Sequence, residues 1–244
     1  MPQRKLIEKI ADESNLKNAW VKSRYFAKTS GDYFDIYAYQ EFENNLDAYI
    51  ATISFQLLHS NYVFGNLRII EIPKGEDTRK IYFSTPRDAV VSQAIINVVG
   101  PIFEEGFSNR SFGNRLSYDM FESKSPFLDW FDQYTKYMSA SLEILLEPDQ
   151  AWYQISDIEK FYPSINLIFL MERIANRIGE PECLFLIEKL LELQAVNSKE
   201  EIEDIKGVPA GTAYSHFFAN VYLDIFDKFI ETKSLFKNKL NSLA

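Results

Sequence analysis

The sequence has little of what cysteine-based or histidine-based chemistry requires. Its 244 residues contain one cysteine, Cys183, and two histidines, His59 and His216. A single cysteine excludes an internal disulfide and a cysteine-based zinc site, and two histidines are too few for a histidine cluster. Any metal bound by this protein is therefore expected to have oxygen ligands.

Long hydrophobic runs are also missing. No apolar run approaches the ~20 residues that a membrane helix needs, and the first residues, MPQRKLIEKIADESN, carry acids where a secretory signal has an apolar block. We therefore expect a cytoplasmic protein with no membrane partner. Hydrophobic residues nevertheless make up 46% of the chain and aromatic residues 15%, enough for one large core or two smaller ones, so the chain is expected to be globular.

Positive charge is outweighed by negative charge, and the acids are concentrated in the middle of the chain. The formal net charge of -9 argues against a protein that coats nucleic acid nonspecifically, because Lys and Arg dominate phosphate binding. Residues 1–30 hold seven Lys/Arg and three Asp/Glu, whereas residues 116–206 hold eight and eighteen. The basic amino terminus is weak support for an RNA contact, and a solvated surface is the alternative interpretation.

Two patterns organise the first half of the chain. Apolar residues at helical spacing over residues 46–57 predict a helix that ends before Asn61. The stretch NLRIIEIPKGEDTRKIYFS then contains two β-rich runs around a polar loop at residues 73–77, which predicts a hairpin with a charged tip. Lys74 and Arg79 are expected to lie at or beside this tip.

The next segment, STPRDAVVSQAIINVVGPIFEEGF, carries helix signals. Thr85 is the expected N-cap residue and Pro86 the first helical residue, and Gly100-Pro101 is expected to kink or divide the helix. Two further helices are predicted over residues 167–179 and 183–194. After a GVPAG loop at residues 207–211, AYSHFFANVYLDIFDKFI is apolar on nearly all sides, so this helix is expected to be buried.

Asp157 closes an apolar stretch in WYQISDIEKFYPSIN, which we interpret as the end of a strand. In an extended segment it shares one face with Tyr153 and Ile155, and a charge there needs a cation or a donor. A metal ligand is one interpretation. The other is an aspartate that caps the turn begun by Pro163 and Ser164, and the residue alone does not decide between them.

Together, the stretches IPKGEDTRKIYFSTPRDAVVSQAI, PIFEEGFSNRSFGNR, SDIEKFYPSI and GVPAGTAYSHFFANVYLDIFD resemble a reverse transcriptase. The resemblance is to the bacterial kind that includes group II intron, diversity-generating and phage-defence enzymes, and it runs from about residue 60 to residue 230. It implies an α+β right-hand polymerase fold with a helical extension at 1–60, fingers at 61–150 and a partial palm at 151–244, without a thumb.

The resemblance also implies a cofactor and substrates. Polymerases use two Mg²⁺ ions ~3.5–4 Å apart, and Mg²⁺ prefers oxygen ligands. By resemblance, Asp157 is the first catalytic carboxylate and a metal ligand, and the backbone carbonyl of Ile158 is a second ligand. The implied partners are dNTPs, an RNA template and a DNA or RNA primer.

The family's nucleotide contacts map onto three further residues. Arg79 and Lys74 match basic residues that grip the incoming triphosphate, although solvated strand-end charges are the alternative. Tyr162 matches the aromatic steric gate, whose ring would occupy the space of a ribose 2′-hydroxyl and so select dNTPs. Its alternative role is that of a core aromatic residue, a role that we assign instead to Phe161.

The loop and one arginine complete the matched positions. Gly207, Pro209 and Gly211 match the loop beside nucleotide and template, where glycines allow close backbone approach. Ala210 stands where many relatives have glutamine. The loss of the glutamine side-chain contact is expected to relax base selection. Arg115 matches an arginine that contacts template or nucleotide, and a structural ion pair is the alternative.

The family completes its metal site with Tyr-x-Asp-Asp, and the sequence has no Asp-Asp pair before it ends at Ala244. Asp224 and Asp227 lie on the apolar helix, and we interpret them as solvated or salt-bridged. We therefore expect either the front part of a longer or split enzyme, with a second chain supplying the missing palm and thumb, or a chain that has lost catalysis.

The predicted function is that of an RNA-directed DNA polymerase fragment that is inactive as the isolated chain. Two rival functions stay open. One is a noncatalytic RNA-binding or protein-binding subunit that keeps the polymerase fold. The other is a protein-primed or untemplated nucleotide polymerase in phage defence.

Overall fold

The computed structural model describes residues 4–29, 35–75, 77–117, 122–147 and 155–241, without the side chains of Asp77 and of residues 233–241. The first helices are α1 (Leu6–Ile10), α2 (Glu13–Thr29), α3 (Ile36–Asn44) and α4 (Leu46–Leu58), followed by strands β1 (Leu67–Lys74) and β2 (Asp77–Phe83). Next come α5 (Pro86–Glu104), α6 (Trp130–Leu145), α7 (Phe161–Ser164), α8 (Leu167–Ala175) and α9 (Pro181–Leu191). Strands β3 (Gln194–Val196) and β4 (Ile202–Asp204) precede the long helix α10 (Ala213–Asn241).

The amino-terminal helices α1 to α4 pack on α5. Buried amides join the two regions: Asn97 Nδ2 donates to Asn15 Oδ1 and to Asn18 Oδ1, both at 3.0 Å. One hydrophobic core runs from Ile10 on α1 to Val221 on α10. The predicted helical extension, fingers and partial palm therefore share one core. The boundaries between these three segments stay a prediction.

Helix α5 begins as its sequence predicts. Pro86 is the first helical residue, and the Thr85 side chain accepts a hydrogen bond from the backbone amide of Asp88. Gly100-Pro101 was predicted to kink or divide the helix, and a division is wrong, because α5 continues to Glu104. A Cβ on Gly100 would overlap the Leu116 side chain, so this glycine allows close packing and does not end the helix.

The four-stranded sheet has the order β2-β1-β3-β4. Strands β1 and β2 form the predicted antiparallel hairpin, from the pair Arg68 and Phe83 to the pair Lys74 and Asp77. Strand β3 pairs parallel to β1 and antiparallel to β4, which the sequence did not predict. Helix α9 ends at Leu191, so the predicted extension of this helix to residue 194 is wrong.

Among the described side chains of helix α10, up to Thr232, burial is greatest in the first turns. Tyr214, Phe217 and Phe218 are almost fully buried, whereas the apolar side chains of the later turns are about half exposed. These later residues are Ile225, Phe226, Phe229 and Ile230. The predicted burial therefore applies to the turns that pack on α5 and α8. None of the described helices combines the length and the apolar character that crossing a membrane requires.

Residues 155–158 do not form the predicted strand. Tyr153 lies outside the described residues. Strand geometry requires a hydrogen-bonded neighbour, and no described strand pairs with this segment. Its alternation of apolar and polar residues is therefore not enough to make it a strand here.

Candidate functional site

The GVPAG loop contacts the backbone at Tyr162. Gly207 has φ +66°, and a Cβ at this position would overlap the carbonyl oxygen of Tyr162. The amide of Val208 donates to the same oxygen at 3.1 Å. Only glycine combines the left-handed conformation with so close an approach, so one end of the loop is fixed against Tyr162.

The other end of the loop contacts the hairpin. The amide of Tyr82 on β2 donates to the carbonyl of Ala210 at 2.9 Å. Gly211 has φ +106°, and its Cβ would lie 2.6 Å from Ile81 Cγ2. A cavity of about 320 Å³, lined in part by Phe83 and Thr212, adjoins this contact. The loop thus joins β2 to Tyr162, two segments far apart in the sequence.

The loop is also fixed to the start of α10. The Ser215 hydroxyl donates to the carbonyl of Pro209 at 2.6 Å, and the Thr212 hydroxyl donates to the same carbonyl at 3.3 Å. Because Thr212 and Ser215 are buried, these bonds are shielded from water. The loop is therefore anchored at three points: Tyr162, β2 and α10.

Tyr162 meets a histidine on α10. Its hydroxyl oxygen lies 2.6 Å from Nδ1 of His216, and the two ring centroids are 5.8 Å apart at 76°. The His216 ring is also in edge contact with Phe26 and Phe127, at 6.0 and 5.9 Å. The tyrosine ring is therefore held in a partly buried aromatic cluster.

Burial sets the charge of both partners. Burial, and secondarily the charge of Arg79, lowers the pKa of His216 to about 4, so the imidazole is neutral at pH 7. Burial also raises the pKa of Tyr162, and Arg79 opposes this increase. The phenol thus keeps its proton. Arg79 lies within electrostatic reach of both groups, so the structure brings together two predicted residues, Arg79 and Tyr162.

The His216 pKa predicts a pH dependence of stability. In the unfolded chain His216 titrates near its usual pKa of ~6.5, and in the folded chain only near 4. The unfolded state therefore binds a proton first as the pH falls, so the stabilising contribution present above pH ~6.5 is lost towards pH 4. We expect a loss on the order of 2–3 kcal/mol in the free energy of unfolding.

The measurement is urea unfolding of the parent and of His216→Leu at pH 7 and pH 4.5. Subtracting the stability loss of the variant from that of the parent removes the contribution of the carboxylates, because both proteins contain the same carboxylates. The parent should lose more stability than the variant between the two pH values. Equal losses would show that His216 titrates normally in the folded protein.

Two cations lie on opposite sides of strand β2. Neighbouring side chains of a strand point to opposite faces, and Lys80 forms an ion pair with Glu203 of β4. Arg79, which is exposed, acts electrostatically on Tyr162 and His216. Lys74 is also exposed, at the end of β1. Arg79 is therefore the tip cation that the structure associates with Tyr162.

Asp157 and Ile158 are exposed on a segment without regular structure. Within the described residues, no group of three or more His, Cys, Asp or Glu side chains could hold a metal ion. Mg²⁺ requires several well-placed oxygens. The described residues therefore do not bring together a complete Mg²⁺ site, and the metal roles of Asp157 and Ile158 stay a prediction.

Arg115 is buried and bonded within the protein. Its guanidinium forms an ion pair with Glu104 and donates to the carbonyls of Ser108 and Ser111 at 2.9 and 2.7 Å. Asn220 on α10 holds the same turn by donating to the carbonyls of residues 113 and 114. These contacts are the structural alternative that the sequence left open for Arg115.

The two acids of α10 differ in environment. Asp224 is buried and forms ion pairs with Arg173 at 3.3 Å and Lys228 at 2.7 Å, which confirms the salt-bridge interpretation. Burial, followed by the charges of Asp224 and Glu231, raises the pKa of Asp227. The Asp224 carboxylate is thus already paired with cationic side chains of the protein.

Comparison with known proteins finds relatives among intron-encoded proteins. The chain is 23% identical over 197 residues to a COX1/OXI3 intron 2 protein of Saccharomyces cerevisiae, covering 80% of this chain and 21% of that protein. It is 26% identical over 180 residues to a 91 kDa protein in cob intron of Schizosaccharomyces pombe, covering 73% and 20%. It is 22% identical to Protein YkfC of Escherichia coli, covering 74% and 45%. The chain thus spans less than half the length of these relatives.

Among solved structures, the chain is similar to a chain of the partial Cas6-RT-Cas1–Cas2 complex. The TM-score is 0.56 at 21% identity, covering 94% of this chain and 36% of that chain. A chain of the Cas6-RT-Cas1–Cas2 complex gives the same TM-score and identity, with 22% of that chain covered. No family model matches the sequence. The likeness shows a shared fold.

Sequence reasoning missed His216. It counted the two histidines only as too few for a cluster, and it gave His216 no contact. The available signal was one imidazole among apolar residues, three positions into a helix that follows the glycine loop. A polar group at such a place needs a hydrogen-bond partner, although the sequence does not say that Tyr162 supplies it.

Proposed function

We propose that the chain forms the nucleotide-binding part of an RNA-directed DNA polymerase with the right-hand fold. Its substrates would be dNTPs and a primer on an RNA template. Asp157 and the carbonyl of Ile158 would contribute to the Mg²⁺ site, Arg79 would contact the triphosphate, and Tyr162 would be the steric gate. Ala210 and Gly211 would lie beside the nucleotide.

One observation carries this proposal. The GVPAG loop contacts Tyr162 at Gly207 and β2 at Ala210, so the hairpin, the loop and the residues after Asp157 converge in space. The four sequence stretches that resemble a reverse transcriptase include these three. Intron-encoded relatives and a structural neighbour whose name contains RT, for reverse transcriptase, support the same function.

The described residues fit the metal only in part. Two Mg²⁺ ions in a polymerase need more carboxylates than Asp157 provides. We propose that further carboxylates, from a continuing segment or a second chain, complete the site. When bound, the ions would stabilise charge on the reacting phosphate. The contribution of the described residues is to bind and orient the nucleotide.

Replacing Arg79 by alanine tests the proposal without requiring catalysis. A charge-assisted hydrogen bond contributes roughly 1.5–3 kcal/mol, so Arg79→Ala should raise the Kd for a dNTP by about tenfold or more. The same loss should appear as a higher KM in any preparation that extends a primer. The binding measurement is a titration with dATP and Mg²⁺ in the presence of a primer on an RNA template.

Lys80→Ala is the matched control, because it removes the same charge one residue away, and Lys80 pairs with Glu203. It should leave the Kd for dATP nearly unchanged. Lys74→Ala shows whether the second tip cation takes part. Equal effects of the Arg79 and Lys80 variants would reduce the role of Arg79 to general electrostatics, and no effect of either would remove Arg79 from the site.

A noncatalytic protein-binding subunit is the second candidate, and helix α6 favours it. Large apolar and aromatic side chains of this helix are exposed, some by more than half of their surface. They are Trp130, Phe131, Tyr134, Tyr137, Met138 and Leu142. Such a patch is typical of an interaction surface. Unchanged dNTP affinity in Arg79→Ala, together with binding of a protein partner that an α6 variant abolishes, would favour this function.

A further inference from the structure

The proposed function gives Tyr162 a role but gives none to its hydrogen bond with His216. It joins residues 54 positions apart, with 2.6 Å between the hydroxyl oxygen and Nδ1. Side chains from two different helices, α7 and α10, meet in it. A contact of this kind can position a side chain in addition to satisfying two polar groups.

The bond joins two neutral groups. A neutral imidazole has one donor and one acceptor nitrogen, and a phenol can both donate and accept. The phenol keeps its proton at neutral pH, because burial raises the pKa of Tyr162. Either tautomer of His216 therefore holds the phenol oxygen at Nδ1 through one hydrogen bond.

The hydrogen bond restrains the rotation of the Tyr162 ring, which the backbone contacts do not restrain. Val208 and Gly207 hold the carbonyl of Tyr162, but the ring can still rotate about its χ angles. His216 is itself enclosed by Phe26 and Phe127. The phenol is thus bonded to a partner that has little room to move, and one ring orientation is favoured.

We propose that His216 is a positioning residue for Tyr162 that sets the discrimination between deoxyribonucleotides and ribonucleotides. The proposal rests on the proposed function, in which Tyr162 is the steric gate. A gate excludes a 2′-hydroxyl only if its ring stays in place, because a ring that can rotate away leaves room for the extra atom. His216 supplies the restraint through a hydrogen bond and makes no contact with the nucleotide.

Four variants separate this role from a purely structural one. Tyr162→Phe and His216→Leu each remove the hydrogen bond from one side. His216→Asn is the conservative variant, because its side-chain oxygen can accept at the position of Nδ1. Tyr162→Ala removes the gate itself.

The measurement is the Kd of each protein for dATP and for ATP, with Mg²⁺ and a primer annealed to an RNA template that presents uridine. The two nucleotides differ only in the 2′-hydroxyl. The Kd for ATP divided by the Kd for dATP therefore measures the discrimination against ribonucleotides. Loss of one hydrogen bond should reduce this ratio by about three- to tenfold in His216→Leu and in Tyr162→Phe. His216→Asn should keep most of the ratio.

The double variant Tyr162→Phe/His216→Leu should be no worse than either single variant, because both remove the same bond. A purely structural histidine would lower stability and both affinities together while leaving the ratio unchanged. An unchanged ratio in His216→Leu, with a reduced ratio in Tyr162→Ala, would overturn the role of His216 alone. An unchanged ratio in Tyr162→Ala, or no nucleotide binding by the parent, would overturn the gate and the proposed function with it.

Nitrogen NMR decides the bond independently of nucleotide binding. At pH 7 the His216 ring should be neutral, with one protonated nitrogen, and Tyr162→Phe should shift the Nδ1 signal. An Nδ1 signal that is the same in the parent and in Tyr162→Phe would show that the bond is absent and would overturn the proposal, even if His216→Leu failed to fold.

Discussion

Gly207→Ala is expected to lower the free energy of unfolding by about 2–5 kcal/mol. A left-handed conformation costs a residue with a Cβ roughly 1–2 kcal/mol, and overpacking against a neighbour adds about 1–3 kcal/mol. Both apply here, because Gly207 has φ +66° and its Cβ would overlap the Tyr162 carbonyl oxygen. A carbonyl of the backbone cannot rotate away as the end of a side chain can. Urea unfolding of parent and variant measures the difference.

Gly75→Ala is the matched control for this prediction. Gly75 has φ +65°, nearly the same as Gly207, but a Cβ there would meet nothing within 4 Å. Its replacement should therefore cost only the conformational part, roughly 1–2 kcal/mol. Equal losses in the two variants would mean that the contact between the loop and Tyr162 is looser than described. Gly207→Ala should also disturb the ratio of Kd values for dATP and ATP, which Gly75→Ala should not.

Asp157→Ala should lower the rate of primer extension by at least about a hundredfold. Metal ligation in a phosphoryl transfer contributes several kcal/mol, and each 1.36 kcal/mol corresponds to a tenfold change in rate. The assay is extension of a DNA primer on an RNA template with dNTPs and Mg²⁺, in a preparation where further carboxylates complete the site. Glu159→Ala is the control, because Glu159 is an exposed acid on the same segment. It should extend at close to the parent rate.

The 244-residue polypeptide alone should not extend the primer, because Asp157 and the carbonyl of Ile158 cannot hold two Mg²⁺ ions by themselves. Extension by this polypeptide that is lost in Asp157→Ala would contradict the expectation. Asp227 would then be the first residue to test as a second ligand. Asp224 would come after it, since its carboxylate is buried against Arg173 and Lys228. Equal extension by the parent and by Asp157→Ala would remove Asp157 from the reaction.

Local patterns predicted the elements whose hydrogen bonds close within a short stretch. The hairpin around Gly75, the start of α5 at Thr85 and the glycine loop each have their signal in a few neighbouring residues. Strands β3 and β4 have three residues each and pair with each other. They join the sheet because β3 pairs with β1, which lies more than a hundred positions earlier. Nothing within residues 194–204 specifies that partner.

The sequence predicted which residues belong to the candidate site more fully than it predicted the contacts between them. The resemblance singled out Arg79, Tyr162 and Gly211. In the structure, the loop that ends at Gly211 contacts both Tyr162 and β2, the strand that carries Arg79. The resemblance could not predict that His216 bonds to Tyr162 or that Arg115 is buried against Glu104. Such contacts depend on how distant segments pack. The strand expected around Asp157 shows the opposite error within the described residues, since residues 155–158 have a suitable pattern but pair with no described strand.

The hydrogen bond from Tyr82 to Ala210 also protects the sheet from unwanted association. Strand β2 is at one edge of the sheet, and an open edge can recruit a strand of another molecule. Because the loop occupies the outer amide of Tyr82, a foreign strand cannot continue along β2 past this residue. The opposite edge, β4, has three residues, two of them the acids Glu203 and Asp204, and short charged edges resist pairing. The residues that shape the candidate site therefore also help to keep the sheet from growing into aggregates.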